Sequence, residues 1–178
     1  VSMSDVKLSQ YSNAFKSPVW IIGDSYTSFY SNRWTWQLVN SFKVDNFLVS
    51  GYAGAESKEM EAELEMLLQF GTPKYLVWCM GMNDLAPVWL NYVKKVEQIC
   101  ARNGIDIIFQ TIPKNNSAKN EINLYVTSSQ NRYIDFVSAV MRNGTWYSDM
   151  DEDGTHPNIL GAQVLAGQVL NDFPELIK

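Results

Sequence analysis

Pro18-Val19-Trp20-Ile21-Ile22-Gly23-Asp24-Ser25-Tyr26 decides how this chain is read. Residues 18–22 are an apolar run that predicts a strand, and Gly23-Asp24-Ser25 is a tight turn leaving it. A strand that ends in Gly and hands over to Ser presents a hydroxyl at the carboxyl edge of a sheet. In open α/β sheets that edge is where ligands sit. A serine alone proves little. A base, a group to orient that base and donors for an oxyanion must come from elsewhere in the chain.

Outward from that stretch, strands alternate with helices. The pattern predicts strands at 44–49, 75–80, 105–111 and 132–137, and helices at 33–41, 56–69, 87–103, 119–130 and 158–171. The helix at 56–69 is amphipathic, with Met60, Leu64, Leu67 and Leu68 at helical spacing, acids in its first turns, and Gly71 and Pro73 to stop it. The next carries Trp89, Val93, Val96 and Cys100 on one face and ends at Asn103-Gly104. The last is expected to turn Leu160, Val164 and Leu170 inward. Residues 1–17 read as a lead-in with a short helical turn, and 1–178 as one domain. Such βαβ units imply a five-stranded parallel sheet inside a three-layer α/β/α sandwich.

Composition narrows the function classes. With 46% hydrophobic and 19% charged residues the chain reads as globular. A net charge of −5 argues against a nucleic-acid or anionic-membrane partner, which would want a basic face. No apolar run approaches the ~20 residues that span a bilayer. No signal peptide is visible, and Val1, which is not a natural initiator, is compatible with a cleaved one; localisation and oligomeric state stay open. Cys79 and Cys100 fall in a predicted strand and a predicted helix and read as buried thiols, which fits a reducing compartment.

The chain has one histidine, His156, three residues after Asp153. That spacing lets the carboxylate fold back onto one ring nitrogen and leaves the other for Ser25. Candidate oxyanion donors are the Ser25 N–H, the Gly51 N–H and the side-chain amide of Asn83. Glycine suits close approach of backbone to substrate. Taken singly, Gly51 is an ordinary turn residue, Asn83 with Asp84 an ordinary helix cap, and His156 an ordinary surface residue.

Four blocks together resemble the SGNH (GDSL-like) hydrolases. Gly23-Asp24-Ser25-Tyr26 looks like the first block and Asn46-Phe47-Leu48-Val49-Ser50-Gly51 like the second. Gly81-Met82-Asn83-Asp84 matches Gly-x-Asn-Asp, and Asp153-Gly154-Thr155-His156 matches Asp-x-x-His. They occur in the family's order and span nearly the whole chain. The resemblance implies a flavodoxin-like sandwich and a serine esterase without a cofactor. By it Ser25 is the nucleophile, His156 the general base and Asp153 its orienter, with Gly51 and Asn83 completing the oxyanion hole. Tyr26 departs from the family's Leu at a position outside the chemistry, and Gly51 is preferred over Gly54 on the Ser-Gly pattern.

The implied reaction is hydrolysis of small O-acyl esters through an acyl-enzyme, with a glycan or similar polar alcohol favoured. That lean rests on a short chain without a lid-sized insertion and on aromatics near the active edge, Trp146 and Tyr147 being the expected substrate wall. The alternatives are a lysophospholipase- or thioesterase-type acylhydrolase, or a non-catalytic carbohydrate-binding module on the same fold. Residues 149–154 imitate the start of an EF-hand loop, but the twelfth place is Leu160 where a bidentate Glu is required, so no metal is assigned. One His and two separated Cys rule out a His-rich zinc site, and phosphate-binding glycine signatures are absent.

Overall fold

A computed structural model of the chain describes residues 14–177. The lead-in expected at 1–17 lies mostly outside the described residues. Five strands form one parallel sheet: β1 (Val19–Gly23), β2 (Phe47–Gly51), β3 (Tyr75–Cys79), β4 (Asp106–Gln110) and β5 (Arg132–Ile134). Their order is β2-β1-β3-β4-β5, the doubly wound, flavodoxin-like arrangement. Its switch point lies between β1 and β3, so Ser25 leaves β1 where the crossovers on the two sides part. The helices are α1 (Trp34–Asn40), α2 (Ser57–Leu67), α3 (Ala86–Asn103), α4 (Ser117–Ser128), α5 (Phe136–Val140) and α6 (Ile159–Asp172).

Alternation along the strands splits the core into two layers, as period-two side chains must. Trp20, Ile22, Leu76, Trp78, Ile107 and Phe109 face α2, α3 and α4. Val19, Ile21, Val77, Cys79, Ile108 and Ile134 face α1, α5 and α6. Each fully buried side chain of this kind stabilises the fold by about 1.5–3 kcal/mol before entropy is counted. Cys79 and Cys100 are buried free thiols, as their positions predicted.

Local chemistry sets the element ends. Glu56 and Glu59 form a capping box at the start of α2. Asn116 and Asn158 cap α4 and α6. Gly104 ends α3 at φ 66°, where its N–H returns to the Cys100 carbonyl.

Four expectations are corrected. β2 begins three residues later than predicted and runs to Gly51, because the chain leaves α1 through Lys43 at φ 60° and the Val44 N–H is held by the Leu38 carbonyl. The strand expected at 132–137 stops at Ile134, because Asp135 accepts the Ser138 N–H and opens α5. Between 137 and 158, where the pattern predicts neither strand nor helix, the chain forms a hairpin, β6 (Met141–Arg142) with β7 (Thr145–Trp146), turning on Asn143 and Gly144 at φ 52° and 78°. In α6 the inward face is Ala162, Leu165, Ala166 and Val169; Leu160 is exposed, and Val164 and Leu170 pack at the margin.

Candidate active site

The turn after β1 is built by Asp24. Its carbonyl accepts the Thr27 and Ser28 N–H groups at 3.0 and 3.2 Å. Its carboxyl, 1% exposed, accepts the Tyr26 N–H at 3.1 Å and the Met82 N–H at 3.4 Å. One side chain thus ties the loop after β1 to the loop after β3. Burial pushes this carboxyl up to about 7, against the two N–H donors that pull it down; Asp84 adds to the rise and Lys119 opposes it. Ser25 follows, itself largely buried. Its carbonyl is held by the Ser28 hydroxyl at 2.7 Å and by the Arg33 Nε–H.

The structure brings all three residues of the predicted triad together. Ser25 Oγ lies 2.9 Å from His156 Nε2, and His156 Nδ1 lies 2.9 Å from Asp153 Oδ2. The other carboxylate oxygen of Asp153 accepts the N–H of His156 at 2.7 Å and of Thr155 at 2.9 Å. Burial works to raise the Asp153 carboxyl, but the hydrogen bonds from the His156 backbone, the His156 ring and the Thr155 backbone outweigh it and hold it at about 2. A carboxylate can only accept, so the ring proton belongs on Nδ1, and Nε2 is left to accept from the serine hydroxyl. The acid, the base and the hydroxyl stand in the order that proton abstraction from Ser25 requires.

The expected oxyanion residues lie at the same sheet edge. Gly51 ends β2 directly opposite Gly23. A Cβ on Gly51 would fall 2.5 Å from the Thr27 carbonyl carbon and 2.6 Å from its oxygen, so β2 closes on the nucleophile loop only because this residue lacks one. Gly54, by contrast, faces open space at φ 75° and is a turn residue. The Asn83 amide donates to the Ala55 carbonyl at 2.9 Å, which fixes the side chain and leaves its second N–H. The third loop is also anchored from below. Asp84 accepts the Ser57 N–H and hydroxyl at the start of α2, and the buried Lys119 ammonium donates to the Gly81 and Asp84 carbonyls at 2.7 Å each. Burial lowers the Lys119 pKa, with Asp84 opposing.

Trp146 is built into the core, 9% exposed, and its indole N–H donates to the Pro113 carbonyl at 2.7 Å. It lines a cavity of about 290 Å³ together with Lys114, Asp151 and Gly154. Tyr147 is half-exposed at 39%. Among the described residues no hydrogen bond or ring contact joins either aromatic to Ser25 or His156. A wider cleft of about 690 Å³ opens between Tyr30, Asn32 and Arg33 on the loop after Ser25 and the residues flanking His156, Glu152 before it and Ile159 and Leu160 after it. Sequence reasoning passed over Asp24, Arg33 and Lys119. Only Asp24 had a signal, being part of the quoted turn; the other two act through backbone carbonyls that no side-chain pattern announces. Among the described residues no three His, Cys, Asp or Glu side chains converge as a metal-ligand group. No helix among them is long and apolar enough to cross a membrane.

No protein-family model and no curated protein matches the sequence. Solved structures do match over nearly full length. A member of the lipolytic protein G-D-S-L family from Veillonella parvula superposes with a TM-score of 0.73 at 18% identity, over 88% of this chain and 97% of that one. A GDSL-like lipase from Bacteroides thetaiotaomicron gives 0.72 at 14%, over 96% and 97%. An acetyl xylan esterase from Geobacillus stearothermophilus gives 0.69 at 13%, over 90% and 96%. At these identities the likeness establishes the shared fold.

Proposed function

We propose that this chain is a serine esterase of the SGNH class that hydrolyses small O-acyl esters through an acyl-enzyme. The observation that carries the reading is the linked pair of 2.9 Å contacts, Ser25 to His156 and His156 to Asp153. His156 Nε2 takes the Ser25 proton as Oγ attacks the acyl carbonyl. The imidazolium that forms is stabilised by Asp153, held at about 2 and so ionised throughout the working range. The developing oxyanion rests on the Ser25 N–H, the Gly51 N–H and the second Asn83 N–H. His156 then returns its proton to the leaving alcohol, and water repeats the cycle on the acyl group. No cofactor enters.

Within that class the leaving alcohol is proposed to be a carbohydrate or similar polyol. The fold shared with an acetyl xylan esterase supports this side. A second reading, a longer apolar acyl group, is favoured by the exposed Tyr30, Ile159 and Leu160 around the cleft beside Arg33.

A fluorophosphonate probe tests the chemistry. Wild-type protein should label at Ser25, and Ser25→Ala should neither label nor turn over p-nitrophenyl acetate while keeping its fold. Absence of labelling would leave a binding module on this fold. A panel of p-nitrophenyl esters of increasing chain length, run beside acetylated sugars, separates the two substrate classes. Strong preference for long chains overturns the carbohydrate assignment.

A further inference from the structure

Tyr26, the residue after the serine, is 2% exposed. Its hydroxyl donates to the Thr155 carbonyl, 129 positions away in the chain. Its ring centroid lies 5.5 Å from that of His156. The Thr155 carbonyl and the His156 N–H belong to one planar peptide unit, and the N–H end of that unit donates to Asp153 Oδ1 at 2.7 Å. The peptide that carries the base is therefore gripped at both ends, by the acid on one side and by the nucleophile turn on the other.

The two grips differ in what they fix. Every contact between Asp153 and His156 spans three residues, so it keeps ring and acid together wherever their loop moves. It does nothing to hold the ring over Ser25. Apart from the Ser25–His156 contact itself, that loop is joined to the stretch after Ser25 by Tyr26 on Thr155 and, further out, by Asn32 on Glu152 at 2.7 Å. Lys114, from the loop after β4, reaches the Thr155 hydroxyl at 3.3 Å. Among the bonds of the described residues, only the one from Tyr26 is made by the immediate neighbour of the nucleophile to the peptide bearing the base.

We propose that Tyr26 is a positioning residue that registers the base against the nucleophile, setting the Ser25–His156 distance through the Thr155–His156 peptide. The assignment rests on the esterase reading and gives a role to the position where the quoted family pattern has Leu. The phenol suits the task because it stays a neutral donor: burial raises its pKa, as do Asp24 and Asp153, with Arg33 opposing. Leucine at this place fills space but cannot hold a carbonyl.

Tyr26→Phe keeps the ring and removes the donor. With p-nitrophenyl acetate, kcat should fall roughly ten- to a hundredfold with KM unchanged, the signature of misalignment rather than lost substrate contact. A merely structural role would lower thermal stability and leave kcat at the wild-type value, and that result overturns the proposal. Because His156 is the only histidine, its ring resonances are unambiguous, and in Tyr26→Phe they should broaden through μs–ms exchange. If wild-type protein neither labels with fluorophosphonate nor turns over any ester, the esterase reading fails. The ring resonances then decide the Tyr26 coupling alone, an unchanged ring overturning it. Should the variant not fold, wild-type protein must show a slowly exchanging Tyr26 hydroxyl proton close to the His156 amide, and its absence overturns the proposal.

Discussion

His156 is legible because it is the chain's single histidine, Asp153 because it lies three residues before it, and Ser25 because it follows an apolar strand through Gly23-Asp24. A single histidine three places from an aspartate leaves few pairings open, and the Asx-type hydrogen bonds that bind them are local. Asn83 was legible only as a type of donor; that its amide is fixed by the Ala55 carbonyl, 28 positions away, was not. Because that contact uses one N–H and the proposed oxyanion the other, Asn83→Ala should lower kcat by roughly 10²–10³ with little change in KM, read by steady-state hydrolysis of p-nitrophenyl acetate. Trp146 shows the opposite case. An aromatic shortly before Asp153 suggests a substrate wall; in the fold Trp146 is mostly buried, as a large apolar ring gains most by leaving water, with its indole N–H on the Pro113 carbonyl, and it lines the cavity beside Lys114, Asp151 and Gly154.

Helices and central strands followed the hydrophobic period closely, while short elements did not. The sequence pattern extends β5 too far because Tyr133, Ile134, Phe136 and Val137 look like a continuing strand, and the cap at Asp135 outweighs that pattern. The β6–β7 hairpin carried a usable signal, Asn143-Gly144, which is the pairing that two-residue hairpin turns prefer. Gly51 belongs to this scale, since its position at the end of β2 decides how near that strand can come to the nucleophile loop. Gly51→Ala should force Thr27 to move, lowering stability by about 1–3 kcal/mol and also reducing kcat. Gly54→Ala should cost about 1–2 kcal/mol for its left-handed φ and keep kcat. Thermal melts and initial rates on the two variants check this, and the reverse pattern in kcat would make Gly54 the oxyanion residue.

Across the molecule, the site is an assembly of loops from β1, β2, β3 and the segment before α6, and a buried carboxyl ties two of them together. The Asp24 carboxyl is raised to about 7 when folded and lies near 3.8 otherwise. The folded state therefore binds the extra proton between those values, and this contribution to stability is full below about 3.8 and lost as pH rises through about 7. Asp153 has the opposite sign, with a folded value of about 2: its contribution is present above about 3.8 and lost as pH falls through about 2. Asp24→Asn should abolish the first effect. The stability of wild type relative to Asp24→Asn, followed by denaturant melts, should therefore fall between pH 4 and 7, by on the order of a few kcal/mol. A difference that stays flat across that range would mean Asp24 is already ionised in the folded protein throughout it.

The amino-acid sequence by itself determined the alternation of strands and helices, the parallel doubly wound sheet and which side chains are candidates for the triad. Those follow from periodicity and from the rarity of chemical types, both properties of residues close together in the chain. Only the tertiary structure decided which groups hold that site in register: Tyr26 on Thr155, Asp24 on Met82, Arg33 on the Ser25 carbonyl, Lys119 under the third loop. In each of these, one partner is a backbone carbonyl or N–H. Every residue carries such groups alike, so no sequence pattern marks the one that a distant side chain will find. The turn from Gly23 to Tyr26 could be read as a nucleophile from the chain alone; that its tyrosine reaches the peptide carrying the base depends on two segments meeting at the sheet's carboxyl edge.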